Sequence, residues 1–148
     1  NYMAMPFQIL HSDKAVFFAY EYAGPVRNIY LKDPGPPPVD SWMGQAYGVW
    51  EGDTFVVTNT GFNDQSWFDR AGNHHSDKLK VVERYTMQGA DHMWYEATIE
   101  DPATFSRPWK MRFPLYRHIN PDARLNQFKC VEFVEELMYG KLRKHPVQ

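Results

Sequence analysis

Apolar and polar side chains alternate with period two along most of this chain, and no other sequence feature limits its fold as much. In residues 54–60, Phe55 and Val57 alternate with Thr54, Val56, Thr58 and Thr60; in residues 79–87, Leu79, Val81, Glu83, Tyr85 and Met87 share one face. Successive side chains of a strand point to opposite faces, so such runs make half-buried strands rather than helices. Further β-prone runs cover residues 7–10, 15–22, 26–32, 46–50, 93–100, 109–117 and 125–133. Turn signals separate them at Asp13, Gly24-Pro25, Gly52-Asp53, Gly89 and Asn120-Pro121.

About eight or nine strands at hairpin spacing predict an all-β chain, an antiparallel up-and-down barrel. Closing the sheet removes edges that would otherwise pair with other chains. Residues 33–38 contain four prolines, which supply no N–H donors, and read as a stiff surface connection. The one helix expected is short, at residues 134–144, with Gly140 inside it. The length of 148 residues suits a single barrel domain spanning 1–148.

Rings carry the apolar surface. Five Trp, nine Tyr and ten Phe make up 16% of the chain, while the mean hydropathy stays at −0.59. Aromatic residues suit pleated surfaces and also line pockets for flat organic ligands. A net charge of −2 leaves no basic stripe able to follow a phosphate backbone, which argues against nucleic acid. The cluster Lys141, Arg143, Lys144 and His145 reads as a solvated tail. The single Cys130 excludes an internal disulfide and any multi-cysteine zinc site, and reads as a packing residue beside Phe128. No apolar run approaches the ~20 residues of a membrane span. The chain begins at Asn1; with an upstream signal removed, the protein would be periplasmic or secreted. A homodimer is compatible with the sequence.

Several stretches together resemble a family of uncharacterised bacterial proteins, commonly longer than this chain and often exported. They are Trp-Met-Gly at 42–44, Gly-Val-Trp-Glu-Gly-Asp-Thr-Phe-Val-Val at 48–57, Thr-Gly-Phe-Asn-Asp at 60–64 and Trp-Phe-Asp at 67–69. His-Ser-Asp at 75–77, Glu-Arg-Tyr at 83–85, Ile-Glu-Asp-Pro at 99–102 and Pro-Trp at 108–109 complete the set. The likeness extends from about residue 7 to residue 135, with His74 standing where the family pattern has proline. The resemblance implies no activity. A weaker likeness to lipocalin-like (calycin) barrels rests on the Gly-x-Trp at 48–50; a shared fold would not settle function.

Residues 61–77 have no clean period, and loops of that length in compact domains are usually functional or disordered. Phe62, Trp67 and Phe68 favour burial, and the loop also offers Asp64, Asp69, Asp77, His74, His75 and Arg70. A carboxylate beside an imidazole orients it for proton transfer, which predicts His75 paired with Asp69 or Asp77. The bland alternative makes Asp64, Ser76 and Asp77 turn-type caps for the loop's own backbone. Glu83 lies among apolar residues of its strand, so it either lines a site or pairs with an Arg or Lys of another strand, while Arg84 points the other way. Glu96, between Trp94 and Thr98, follows the same pattern. Candidate ligand contacts are Trp42, Trp50, Asp64, Trp67, Tyr95 and Trp109. A metal at His74, His75 and Asp77 would need a third ligand from afar, because adjacent side chains point apart; no metal and no cofactor are expected.

These residues point to a cofactor-independent acid–base enzyme of isomerase, lyase or cyclase type acting on an apolar or aromatic small molecule. In it His75 moves a proton, and Glu83 or Arg84 stabilises charge deeper inside. A non-catalytic, lipocalin-like carrier is the alternative. An accessory interaction domain of a longer protein, with an exposed aromatic patch, is the third.

Overall fold

A computed structural model of the chain describes residues 5–69, 71–127 and 133–142. Among the described residues, eight strands form one sheet in sequential order: β1 (Phe7–His11), β2 (Ala15–Tyr20), β3 (Val26–Tyr30), β4 (Gln45–Glu51), β5 (Thr54–Thr60), β6 (Lys80–Met87), β7 (His92–Glu100) and β8 (Trp109–Tyr116). A short helix α1 (Val134–Tyr139) continues into a 3₁₀ turn at Gly140–Leu142. The expected ninth strand at 125–133 is not formed at residues 125–127, and residues 128–132, with Cys130, lie outside the described part. So do Arg70 and the tail residues Arg143, Lys144 and His145.

Turn chemistry sets the register of the hairpins. Glu51 pairs with Thr54 across a two-residue loop. Gly52 takes φ 59 while Asp53 keeps a negative φ, the pattern of a type II′ turn whose twist matches its strands. The Ser12 hydroxyl accepts the amides of Lys14 and Ala15 to close the β1–β2 turn. At β2–β3 the chain turns through Ala23 (φ 60) and Gly24 (φ 67).

One seam departs from the antiparallel expectation. β3 and β4 run parallel, joined only through the pairs Ile29 with Ala46 and Tyr30 with Tyr47. The connection before β4 carries Pro34, Pro36, Pro37 and Pro38, which fix φ and remove donors. It therefore crosses back as an extended strap and enters β4 in the direction of β3 instead of turning tightly. The Gln45 side chain donates to the Gly35 carbonyl and ties the strap down.

The sheet is strongly curled into a half-barrel. Strands β3 and β6 are three positions apart and β2 and β6 four, about 14 and 19 Å in a flat sheet. Yet Arg27 of β3 bonds to Glu83 of β6, and the rings of Phe18 and Tyr85 lie 5.3 Å apart. Only a sheet bent around its inner face brings them together. That face holds Val16, Phe18, Ile29, Ala46, Phe55, Val57, Tyr85, Tyr95, Ala97 and Ile99. Gly48 is part of the fit, since a Cβ there would collide with the Phe55 ring and with Ile29. The centre is thus a packed core and not the hollow that ring-rich strands suggest.

Candidate functional site

The 61–77 segment folds as a rim over the inner-face end of the sheet. Its apolar residues anchor it: Phe68 packs against Phe105 at 6.1 Å and Trp109 at 6.0 Å, and Phe105 meets Trp109 edge-on at 5.7 Å. An isolated antiparallel bridge pairs Trp67 with His74, and the Phe68 amide donates to the Asn73 carbonyl. Between them the Asp69 carboxylate accepts the amides of Ala71 and Asn73 and the Asn73 side-chain amide. Those bonds, the Asn73 side chain foremost, hold the Asp69 carboxyl below its ordinary range.

This folding buries His75 to 3% exposure. Its ring sits 5.1 Å from Phe68 and 6.0 Å from Phe62, with His74 stacked at 5.8 Å and 7°. Nδ1 lies 3.1 Å from the Ser76 carbonyl oxygen, which can only accept. Nδ1 therefore carries the proton, and in the neutral imidazole Nε2 is a bare acceptor. Ser66 Oγ lies 2.9 Å from it and donates. The Ser76 carbonyl is itself held in place. Ser76 N–H donates to Asp101 Oδ2 at 2.6 Å and Ser76 Oγ–H to Oδ1 at 2.7 Å. Asp101 is buried at 2% exposure and also accepts the Ala103 amide. Burial alone would raise its pKa; the Ser76, Thr104 and Ala103 hydrogen bonds outweigh that and lower it.

The carboxylates expected beside His75 are engaged elsewhere. Asp69 closes its own turn, and Asp77 is exposed and paired with Lys78 at 3.0 Å. For Asp69 local backbone demand explains this, because a short Asp side chain satisfies nearby amides before it reaches across a loop, whereas Asp77 takes the neighbouring ammonium instead. His74 and His75 stack rather than point apart. Among the described residues, no group of three His, Cys, Asp or Glu could hold a metal ion.

A second polar assembly occupies the centre of the half-barrel. Glu83, 2% exposed, takes both Arg27 Nη1 at 3.0 Å and Arg27 Nη2 in a bidentate pair. Its Oε1 also accepts the hydroxyls of Tyr85 at 3.2 Å and Tyr95 at 2.8 Å. Glu83 is thus paired to an arginine of another strand. Burial would lower the Arg27 pKa, but the adjacent carboxylate more than compensates and raises it. Burial, reinforced by Glu83, pushes the Tyr85 hydroxyl well above its ordinary value, and burial also raises Tyr20 at the edge of the cluster. Arg27 Nε and Asn59 Oδ1 are buried without a hydrogen-bond partner among the described residues.

Arg84 does not join Glu83. It lies on the outer face, bridges Glu51 at 2.9 Å, and helps line a shallow cleft of about 230 Å³ with Trp94, Glu96 and Arg112. There Arg112 stacks over Trp94 at 4.3 Å, and Glu96 pairs with Lys110. A separate cleft of about 260 Å³ opens at the β3–β4 seam, between Tyr30, the strap prolines Pro37 and Pro38, Val39 and Met43. Of the expected ligand contacts, Tyr95 lies in the central cluster and Trp109 under the rim, both packed against other rings. Trp42, Trp50 and Trp67 are 61%, 62% and 68% exposed, and Asp64 is exposed too.

Sequence reasoning missed Ser66, Asp101 and Arg27. Arg27 shares strand parity with Ile29, which faces inward, and that parity could have flagged a buried cation needing an acid. Ser66 and Asp101 carry no such signal, because their partners are set by how the rim folds back. Compared with known proteins, the chain matches no family model, no curated protein and no solved structure.

Proposed function

We propose that this protein binds an apolar or aromatic small molecule and performs cofactor-independent acid–base chemistry on it, of isomerase, lyase or cyclase type, with His75 moving the proton. One observation carries this reading: a buried imidazole whose Nδ1 proton is committed to the Ser76 carbonyl and whose Nε2 faces the Ser66 hydroxyl. A fixed tautomer with an oriented lone pair is what a general base needs. The surrounding rings of Phe62 and Phe68 favour an apolar substrate over a charged one. Eight strands in sequential order also support a calycin-like reading of the barrel, with the parallel seam as its departure.

Incubating the protein in D₂O with apolar aryl ketones, and reading deuterium at the α-carbon by NMR, tests the reading. Wild type should catalyse wash-in, and His75→Gln should slow it by about 100-fold or more, the usual contribution of a positioned base. No wash-in, or wash-in that survives His75→Gln, refutes it.

A carrier is the second reading, with its ligand in the cleft at the β3–β4 seam and not in the packed centre. Both Glu83 oxygens are taken up by Arg27, and Oε1 also by the tyrosines, so this buried carboxylate is not free to react. A carrier would retain a ligand without any dependence on His75.

A further inference from the structure

We propose that Ser66 is a nucleophile activated by His75 and that the site accepts small carboxylic esters bearing apolar or aromatic groups. The proposal rests on His75 as the proton-moving group and goes beyond the isomerase, lyase or cyclase reading to a hydrolytic reaction. His75 is buried, whereas Ser66 is half-buried and lies on the Nε2 side of the ring. Ser66 is thus the more exposed member of the pair. A hydroxyl donating to a tautomer-locked imidazole is the activated-nucleophile arrangement, found by its geometry and not by any sequence motif. Here the third group is the Ser76 carbonyl, which also accepts the Leu79 amide, while Asp101 holds the Ser76 amide and hydroxyl, so Ser76 and Asp101 are positioning residues.

The step balances without a cofactor. Ser66 Oγ bonds to the ester carbonyl carbon while its proton passes to His75 Nε2. The alkoxide departs, takes that proton and leaves an acyl-Ser66. A water then repeats the sequence, its proton moving through Nε2 back to Ser66 Oγ, and the carboxylic acid is released. Trp67, adjacent in sequence and 68% exposed, supplies a ring for the ester's apolar portion. A neutral carbonyl stabilises the imidazolium less than a carboxylate would, so turnover should be slow.

Labelling with an alkyl fluorophosphonate, mapped by mass spectrometry, provides the test, together with hydrolysis of 4-nitrophenyl butyrate. One adduct is expected, on Ser66, absent in Ser66→Ala and at least tenfold slower in His75→Gln, with ester hydrolysis falling in parallel. No adduct, an adduct on another residue, or an unchanged rate in His75→Gln overturns the proposal. Should His75→Gln fail to fold, Ser66→Ala decides, since it removes a single oxygen: hydrolysis unchanged in that variant overturns the proposal. Deuterium wash-in that depends on His75 without a Ser66 adduct leaves His75 as a base and removes only the nucleophile. Loss of both removes both.

Discussion

Replacing Glu83 by Gln isolates the charge at the centre of the half-barrel. The amide keeps an oxygen for Tyr85 and Tyr95 but leaves the Arg27 guanidinium, 8% exposed, without a counter-charge. Breaking a buried pair from one side costs about 3–5 kcal/mol, because the surviving charge stays desolvated. At about 2–4 °C per kcal/mol for a domain of roughly this size, the melting temperature should fall by about 6–20 °C. The pair itself contributes far less than that loss, since much of its attraction only offsets desolvation. Converting the cluster to apolar side chains (Arg27→Met, Glu83→Leu, Tyr85→Phe and Tyr95→Phe together) should therefore restore stability to about the wild-type value or above it. Including Tyr85 matters, because its buried hydroxyl would otherwise lose the Glu83 acceptor, at about 1–3 kcal/mol, and Tyr95 likewise gives up its bond to Glu83. Urea unfolding at pH 7, followed by fluorescence of the five Trp and checked by calorimetry, measures each variant. A loss below about 1 kcal/mol in Glu83→Gln would refute the reasoning, for it would mean that the guanidinium is hydrated or paired again.

Asp101→Asn should destabilise the protein by about 1–3 kcal/mol at pH 7, as Ser76 loses its charged acceptor. The Asp101 pKa is lowered on folding, so its contribution is complete above the unfolded value near 3.8 and vanishes as pH falls through the lower folded value. Urea unfolding of wild type and variant should therefore converge in strong acid; a gap independent of pH would contradict this. The raised pKa of Tyr85 works in the opposite sense. Its contribution is complete below the ordinary value near 10 and declines as pH rises from there toward the folded value. Tyr85→Phe should flatten the alkaline loss of stability seen by circular dichroism, and equal slopes would place that hydroxyl in water.

Much of the fold was legible in the chain, and less of the site. Alternation at 54–60 and 79–87 defined β5 and β6 almost to the residue, and Gly52-Asp53 announced the hairpin that pairs β4 with β5. Both signals are local, carried by side-chain period and by the φ a turn demands. The same alternation allowed Glu83 to be structural, and its partner on another strand proved to be Arg27. The rim was legible as a segment containing His75 and anchored by Phe62 and Phe68, but Trp67, expected to be buried with them, is exposed, and the partners of the imidazole were not legible.

By itself, then, the sequence determined eight strands, the hairpin turns, the barrel-like all-β class and a histidine-bearing rim, since each follows from neighbours a few residues apart. Tertiary structure alone decided that β4 would run parallel to β3, that Arg27 would cross three strand positions to Glu83, and that His75 would face Ser66 instead of Asp69 or Asp77. The physical reason is common to all three. Curling a sheet and folding a loop back over it create pairs between residues far apart in the chain, and which polar group wins a buried partner depends on desolvation and reach, quantities that no local pattern encodes.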